Sequence, residues 1–291
     1  MKIAIIINTY RFTPALEAAL QSPELKVEFG VDYDVFVKTP EEMDVLLKEF
    51  NYEVYNVLLI GGGDGTVAKI VQAMVGHDLP VAILPLGTFN LLAKSLNYPN
   101  DLKSIFALIK NNKTKKIDLG EVNKHIILNH AWIGFYYELL KSRKKYKHIL
   151  GNSRLLKAIF NTFNLFKRLP FYSLEVKANE EIHVYKTYLI AINNNESHSN
   201  LFNFGEHKYL SSGFLSVTIL NCKNRWDLFV FLWTALLRGA KYSRHVTTFN
   251  AEKLTITAKT QKAKVVVDGE LYELSFPLYF SIHPKELTVF I

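Results

Sequence analysis

The chain has 291 residues, 49% hydrophobic and 21% charged, which excludes a disordered polymer and leaves room for two hydrophobic cores. Its formal charge is +8, and its one cysteine, Cys222, together with the absence of any Cys/His set at zinc spacing, excludes a disulfide scaffold or zinc module. A cytosolic compartment is expected.

Residues 2–8 are an apolar run too short for a signal segment, with no small-residue cleavage site after it, and predict a buried first strand. A helix at 14–20 with Pro14 in its first turn, a strand at 34–37 and a helix at 41–50 with an acidic first turn come next. Strand 57–60, helix 66–75, strand 81–84 and helix 90–96 follow, the last stopped by Tyr98-Pro99, and then a helix at 102–110. This alternation is the rhythm of a Rossmann-like parallel α/β domain.

The polar run 111–116 predicts a linker. Beyond it lie β-branched and aromatic runs at 126–128, 171–176, 185–192, 214–220, 254–258, 264–267, 279–282 and 287–290, the pattern of a β-sandwich. Helical insertions are expected at 140–167 and 225–238, and the apolar stretch 228–237 is about half the ~20 residues that a membrane span needs. Domains at 1–116, joined by the tail 283–291, and at 117–282 are therefore expected.

The charge is concentrated. Nine Lys and Arg and no acid lie between Lys141 and Arg168, leaving 26 basic against 27 acidic residues elsewhere. Leu155, Leu156, Ile159, Phe160, Phe163 and Phe166 are interleaved at helical spacing, so the run predicts a basic amphipathic helix suited to anionic phospholipid. A nucleic-acid partner is not expected, because the glycine motifs would then be idle.

Two motifs carry the chemistry: Gly61-Gly62-Gly63-Asp64-Gly65-Thr66 after strand 57–60, and Leu84-Pro85-Leu86-Gly87-Thr88-Phe89-Asn90 after strand 81–84. Glycines can take positive φ and let backbone N–H groups approach an anion, while the following helix aims its positive end at the same place. Asp64 inside such a turn makes sense chiefly as a group that handles Mg²⁺ or a proton. No Gly-Lys-Ser/Thr follows, which excludes a Walker-type loop, and the spacing fails Gly-x-Gly-x-x-Gly.

The pair of motifs resembles the diacylglycerol kinase catalytic domain family, which includes sphingosine kinases and soluble bacterial lipid kinases. The resemblance runs on through Ile117-Asp118-Leu119-Gly120, Asn129-His130-Ala131-Trp132-Ile133-Gly134 and Val267-Asp268-Gly269-Glu270. It implies a lipid kinase that uses ATP and Mg²⁺ to phosphorylate a hydroxyl of a diacylglycerol-like or sphingoid lipid. Gly62, Gly63, Gly65 and Thr66 would hold phosphates, with Thr88, Asn90, Asn8 and Thr39 at the nucleotide. Asp64 would serve catalysis and the metal, and Glu270 of the Asp-Gly-Glu hairpin would take the acceptor proton across a cleft. A cytoplasmic protein peripherally associated with the inner membrane face is implied.

Departures from the pattern are visible. Val67-Ala68-Lys69 replaces x-Asn-Glu, Leu91 stands where many bacterial members have an aspartate, and Ser212 replaces an acid of Asp-Asp-Gly, which removes a ligand from a structural Mg²⁺. Only Asn8 survives of the opening Asn-Pro-x-Ser-Gly, with Arg11 a candidate replacement donor. Two other readings stand beside the kinase: a degenerate member that binds nucleotide or lipid without catalysis, and NAD kinase, which shares the Gly-Gly-Asp-Gly turn.

Overall fold

The computed structural model describes residues 1–134, 169, 171–195, 210–238 and 245–291. The basic run and the expected helix at 140–167 lie outside the described residues.

Two compact units divide the chain: Met1–Leu119 with Glu206–Gly213 and His283–Ile291, and Gly120–Gly205 with Phe214–Ile282. In the first unit, strands β1 (Lys2–Asn8), β2 (Asp32–Lys38), β3 (Val57–Gly62) and β4 (Val81–Pro85) alternate with helices α1 (Pro14–Gln21), α2 (Pro23–Phe29), α3 (Pro40–Glu49) and α4 (Asp64–Met74). Helices α5 (Leu91–Ser95) and α6 (Leu102–Lys110) follow. The strands pair in parallel in the order β4-β3-β1-β2. Ile3 to Ile7 of β1 are fully buried and β3 is buried throughout, as required of strands covered on both faces.

Local sequence explains the helices. Thr39 and Glu42 form a reciprocal capping box at α3, with Pro40 at its first position. Asp101 caps α6, whose Leu102, Ile105, Phe106 and Ile109 turn inward at helical spacing. Helix α2 was not expected, although Ser22 caps it and Gly30 ends it at φ 63°.

The expected linker 111–116 is shorter than its polarity suggests. After the turn at Asn111-Asn112 the chain is already in strand β5 (Thr114–Val122), whose first three residues are exposed. Pairing rather than composition holds this stretch: the Ile291 N–H donates to the Lys113 carbonyl at 2.9 Å.

The second unit is largely antiparallel. It contains β6 (His125–Ile127), β7 (His130–Gly134), β8 (Tyr172–Ala178), β9 (Glu181–Asn194), β10 (Leu215–Asn221), helix α7 (Arg225–Arg238), β11 (Val246–Ala251), β12 (Lys253–Ala258), β13 (Lys262–Val267) and β14 (Glu270–Ser275). The runs at 279–282 and 287–290, expected as two strands, are one strand, β15 (Leu278–Phe290). It continues through Lys285, which takes φ 56°. Strand β9 pairs with β8 along its first half and with β7 and β10 along its second, and one core lies among β7 to β10, β12, β13 and β15. A second core lies beneath α7, where Leu228 and Phe231 meet Trp132, Ala191, Leu220 and Val266. Burial in it pushes the Cys222 thiol up to about 12, so this cysteine is no nucleophile at neutral pH.

One buried carboxylate secures the first unit. Asp118 accepts the Gly213 N–H at 2.8 Å on one oxygen and the Lys285 N–H at 2.8 Å on the other, joining segments distant in sequence. Asp118→Ala should lower stability by about 2–4 kcal/mol in chemical denaturation, with Asp118→Asn intermediate because one acceptor remains. Equal stability of Asp118→Ala and wild type would show that this junction holds without the carboxylate.

Candidate functional site

The carboxyl ends of four neighbouring parallel strands gather most of the residues singled out in the sequence. Asn8 ends β1, Thr39 follows β2, Gly62 and Gly63 follow the core of β3, and Gly87 to Asn90 follow β4. In open parallel sheets this is the edge at which ligands bind.

The turn after β3 is tighter than expected. Gly62 is the last strand residue, Gly63 caps the helix in an extended conformation at φ −97°, and α4 starts at Asp64 instead of residue 66. None of Gly61, Gly62, Gly63 or Gly65 has positive φ. Their purpose is close approach. A Cβ on Gly62 would sit 2.6 Å from the Thr66 Cβ, and one on Gly87 would sit 2.5 Å from both the Gly63 Cα and the Asn90 Oδ1. The two glycine motifs are therefore in van der Waals contact through backbone alone.

Left-handed geometry falls instead on Asn90, at φ 50°, just before α5. Its side chain closes the second turn on itself, Oδ1 accepting the Gly87 N–H at 2.9 Å and Nδ2 donating to the Gly87 carbonyl at 3.0 Å. Asparagine tolerates this conformation because its short amide bonds locally.

Asp64 locks the motifs together. One carboxylate oxygen accepts the Asn90 N–H at 2.9 Å and the other the Leu91 N–H at 2.6 Å. The Leu86 N–H adds a bond to the Gly62 carbonyl at 2.9 Å. Asp64 thus caps the start of α5 from the first turn of α4, a task that the sequence did not reveal because donor and acceptor lie 26 and 27 residues apart. Each oxygen keeps a further lone pair, so the same group can still face a cation.

Asn8 joins this group, its Nδ2 donating to the Thr66 hydroxyl at 3.1 Å while its Oδ1 accepts the Tyr10 N–H. Thr88 is exposed beside it on the second turn. Thr39, next to the residue that pairs with Asn8, uses its hydroxyl to accept the Glu42 N–H.

Glu270 belongs to the second unit. Asp268 and Gly269, at φ 47° and 90°, make the tight hairpin turn that the Asp-Gly pair signalled, and Glu270 opens β14 as an exposed residue. The buried member of that turn was missed. Asp268 accepts the Leu128, Asn129 and His130 N–H groups at 2.7, 2.9 and 3.1 Å, so it ties the 129–134 motif to the Asp-Gly-Glu motif. Burial pushes the Asp268 carboxyl above its ordinary range, opposed by those three N–H bonds.

The chemistry of the first-unit group suits a nucleotide's phosphates. A cradle that any Cβ would fill admits oxygens close to backbone, and the eleven-residue helix α4 points its positive end there. Among the described residues no three His, Cys, Asp or Glu side chains converge as a metal site. Mg²⁺ carried by phosphates needs only one or two carboxylates, and Asp64 is of the right type.

A strand–turn–helix phosphate cradle on a parallel α/β sheet, followed by an antiparallel unit, is thus the class of protein that fold and site define. Residues 2–122 match the Diacylglycerol kinase catalytic domain, and that segment of the chain belongs to this family. A Staphylococcus aureus diacylglycerol kinase is 23% identical over 82% of this chain and 75% of its own length. A Staphylococcus carnosus protein with a provisional lipid kinase name is 33% identical over 52% of this chain and 49% of its own. An uncharacterized Synechocystis protein is 25% identical over 80% of this chain and 54% of its own, so the chain spans about half the length of these last two relatives. A Bacillus anthracis crystal structure described as a diacylglycerol kinase superposes with a TM-score of 0.67 at 14% identity, covering 99% of this chain and 96% of that one; this likeness speaks to the fold alone.

The lock predicts a graded response. Asp64→Ala should lower stability by about 1–3 kcal/mol, since two backbone donors lose a charged acceptor, and Asp64→Asn should lose less because one acceptor survives. Urea denaturation of both variants checks this, and no loss in Asp64→Ala would refute the capping role.

Proposed function

We propose that the chain is an ATP- and Mg²⁺-dependent lipid kinase that phosphorylates a hydroxyl of a diacylglycerol-like or sphingoid lipid. Homologues named as lipid kinases support the kinase class. The observation that carries the reading is the contact of the two glycine turns, held by Asp64, at the carboxyl ends of β3 and β4.

Bound Mg·ATP supplies the transferable phosphoryl group. Backbone amides of Gly62, Gly63 and Gly65 and the hydroxyl of Thr66 orient its phosphates, with Thr88 and Asn90 along the nucleotide. Asn8 holds the Thr66 hydroxyl in place. Thr39 borders the nucleotide side by way of the α3 cap. Asp64 is the protein's carboxylate toward the nucleotide's Mg²⁺, and Glu270 takes the proton of the acceptor hydroxyl. With Leu91 and Ser212 in place of acids, the metal is held mainly by the phosphates.

In this reading the acceptor is met at the cytoplasmic side of a membrane, and the nine cations of the 141–168 run attract anionic phospholipid at up to ~1 kcal/mol each. Among the described residues no helix is long and apolar enough to cross a membrane.

Incubation of the purified protein with labelled ATP, Mg²⁺ and a panel of diacylglycerols, monoacylglycerols and sphingoid bases should yield a labelled lipid. Glu270→Gln should lower turnover at least about a hundredfold, some 3 kcal/mol of barrier, with little change in ATP affinity. ATP binding without transfer to any lipid would favour the non-catalytic reading, and unchanged turnover in Glu270→Gln would remove it as the base.

A further inference from the structure

Large aromatic side chains are rarely left in water without cause, and helix α7 leaves two together. Trp226 is 70% exposed and Phe229 48%, and their rings stack with centroids 5.4 Å apart at 22°. The opposite side of the same turns is committed to the core through Leu228 and Phe231, both essentially inaccessible. Burial of the helix therefore does not account for the outward pair.

A third exposed ring is linked to the same place. Phe171, 45% exposed, packs on Tyr188 with ring centroids 4.9 Å apart, and the Arg225 guanidinium approaches the Tyr188 hydroxyl. Arg225 precedes Trp226 in the chain, and Lys223 beside it is exposed. The one acid of the first helical turn is directed elsewhere: Asp227 accepts the Lys223 N–H at 2.8 Å and so caps the helix start. Cations therefore border the rings.

Chain order adds more charge. The 141–168 run, with nine cations and no acid, ends one residue before Leu169, which packs on the core beneath α7. Aromatic rings with a polar rim of Lys and Arg match the boundary between lipid headgroups and acyl chains, where Trp is favoured for its large apolar face and single N–H. A few rings fall well short of the ~1,000 Å² that a stable protein interface buries.

We propose that Trp226 and Phe229, at the start of α7, form an aromatic anchor that enters the headgroup region of an anionic membrane, with Arg225 and Lys223 meeting the lipid phosphates. This deepens the membrane reading above and rests on it, but requires neither ATP nor an acceptor lipid. Its failure is thus separable from failure of the kinase assignment.

The test is sedimentation of the full chain with vesicles of phosphatidylcholine alone or of equimolar phosphatidylcholine and phosphatidylglycerol, without nucleotide. Wild type should partition onto the anionic vesicles, and the double variant Trp226→Ala/Phe229→Ala should bind about tenfold or more weakly while keeping its circular dichroism and melting temperature. Trp226→Phe should retain binding but lose most of the blue shift in tryptophan emission that vesicles produce. Equal binding by wild type and the double variant would overturn the anchor, as would undiminished emission shift in Trp226→Phe. Self-association of wild type abolished in the double variant, with vesicle binding unchanged, would assign the rings to a second copy of the chain and likewise overturn it.

Discussion

The bond that the candidate site depends on is the grip of one carboxylate on two backbone amides. Asp64 holds the Asn90 and Leu91 N–H groups, and through them fixes the turn after β4 against the turn after β3. Both turns are nearly free of side-chain bulk, so contact alone would hold them weakly. A charge-assisted pair of bonds supplies rigidity that glycine cannot. Helix α5, only five residues long, gains little from its own hydrogen bonds and relies on such a cap.

The same device recurs. Asp118 gathers the Gly213 and Lys285 amides in the first unit, and Asp268 gathers three consecutive amides in the second. In each case a buried or partly buried carboxylate satisfies backbone donors at a place where regular pairing breaks off, near a residue of left-handed conformation: Asn90, Gly213 and Lys285, or Asp268 itself. Irregular backbone is where ligands can approach, and acids that bind amides from inside keep it ordered. The departures at Leu91 and Ser212 leave these three aspartates in place.

Much of this was legible in the chain. The buried strands of the first unit follow from uninterrupted apolar runs, and the Asp-Gly hairpin follows from its turn chemistry, which only positive φ at both residues satisfies. What escaped depended on long-range pairing. Thr114 to Lys116 read as linker because nothing in a Thr-Lys-Lys run signals a strand held by a distant neighbour. Strand β11, Val246–Ala251, is half polar and was overlooked for the same reason. Helix α2 was an oversight of another kind, since Ser22, Pro23 and Gly30 mark both of its ends. At the site, the glycines were legible but their reason was not: the sequence suggested positive φ, whereas the demand is contact between Gly63 and Gly87, 24 positions apart. Thr39 was legible as a nucleotide-side residue, while its capping box with Glu42 shows how a local need places a hydroxyl at that edge.

The central claim is that the two glycine turns act as one phosphate cradle, and amide hydrogen exchange in the presence and absence of Mg·ATP tests it most directly. The account predicts that amides at 62–66 and at 87–91 slow together, with the same dependence on ATP concentration. Protection confined to one of the turns, or found only elsewhere in the chain, would contradict it.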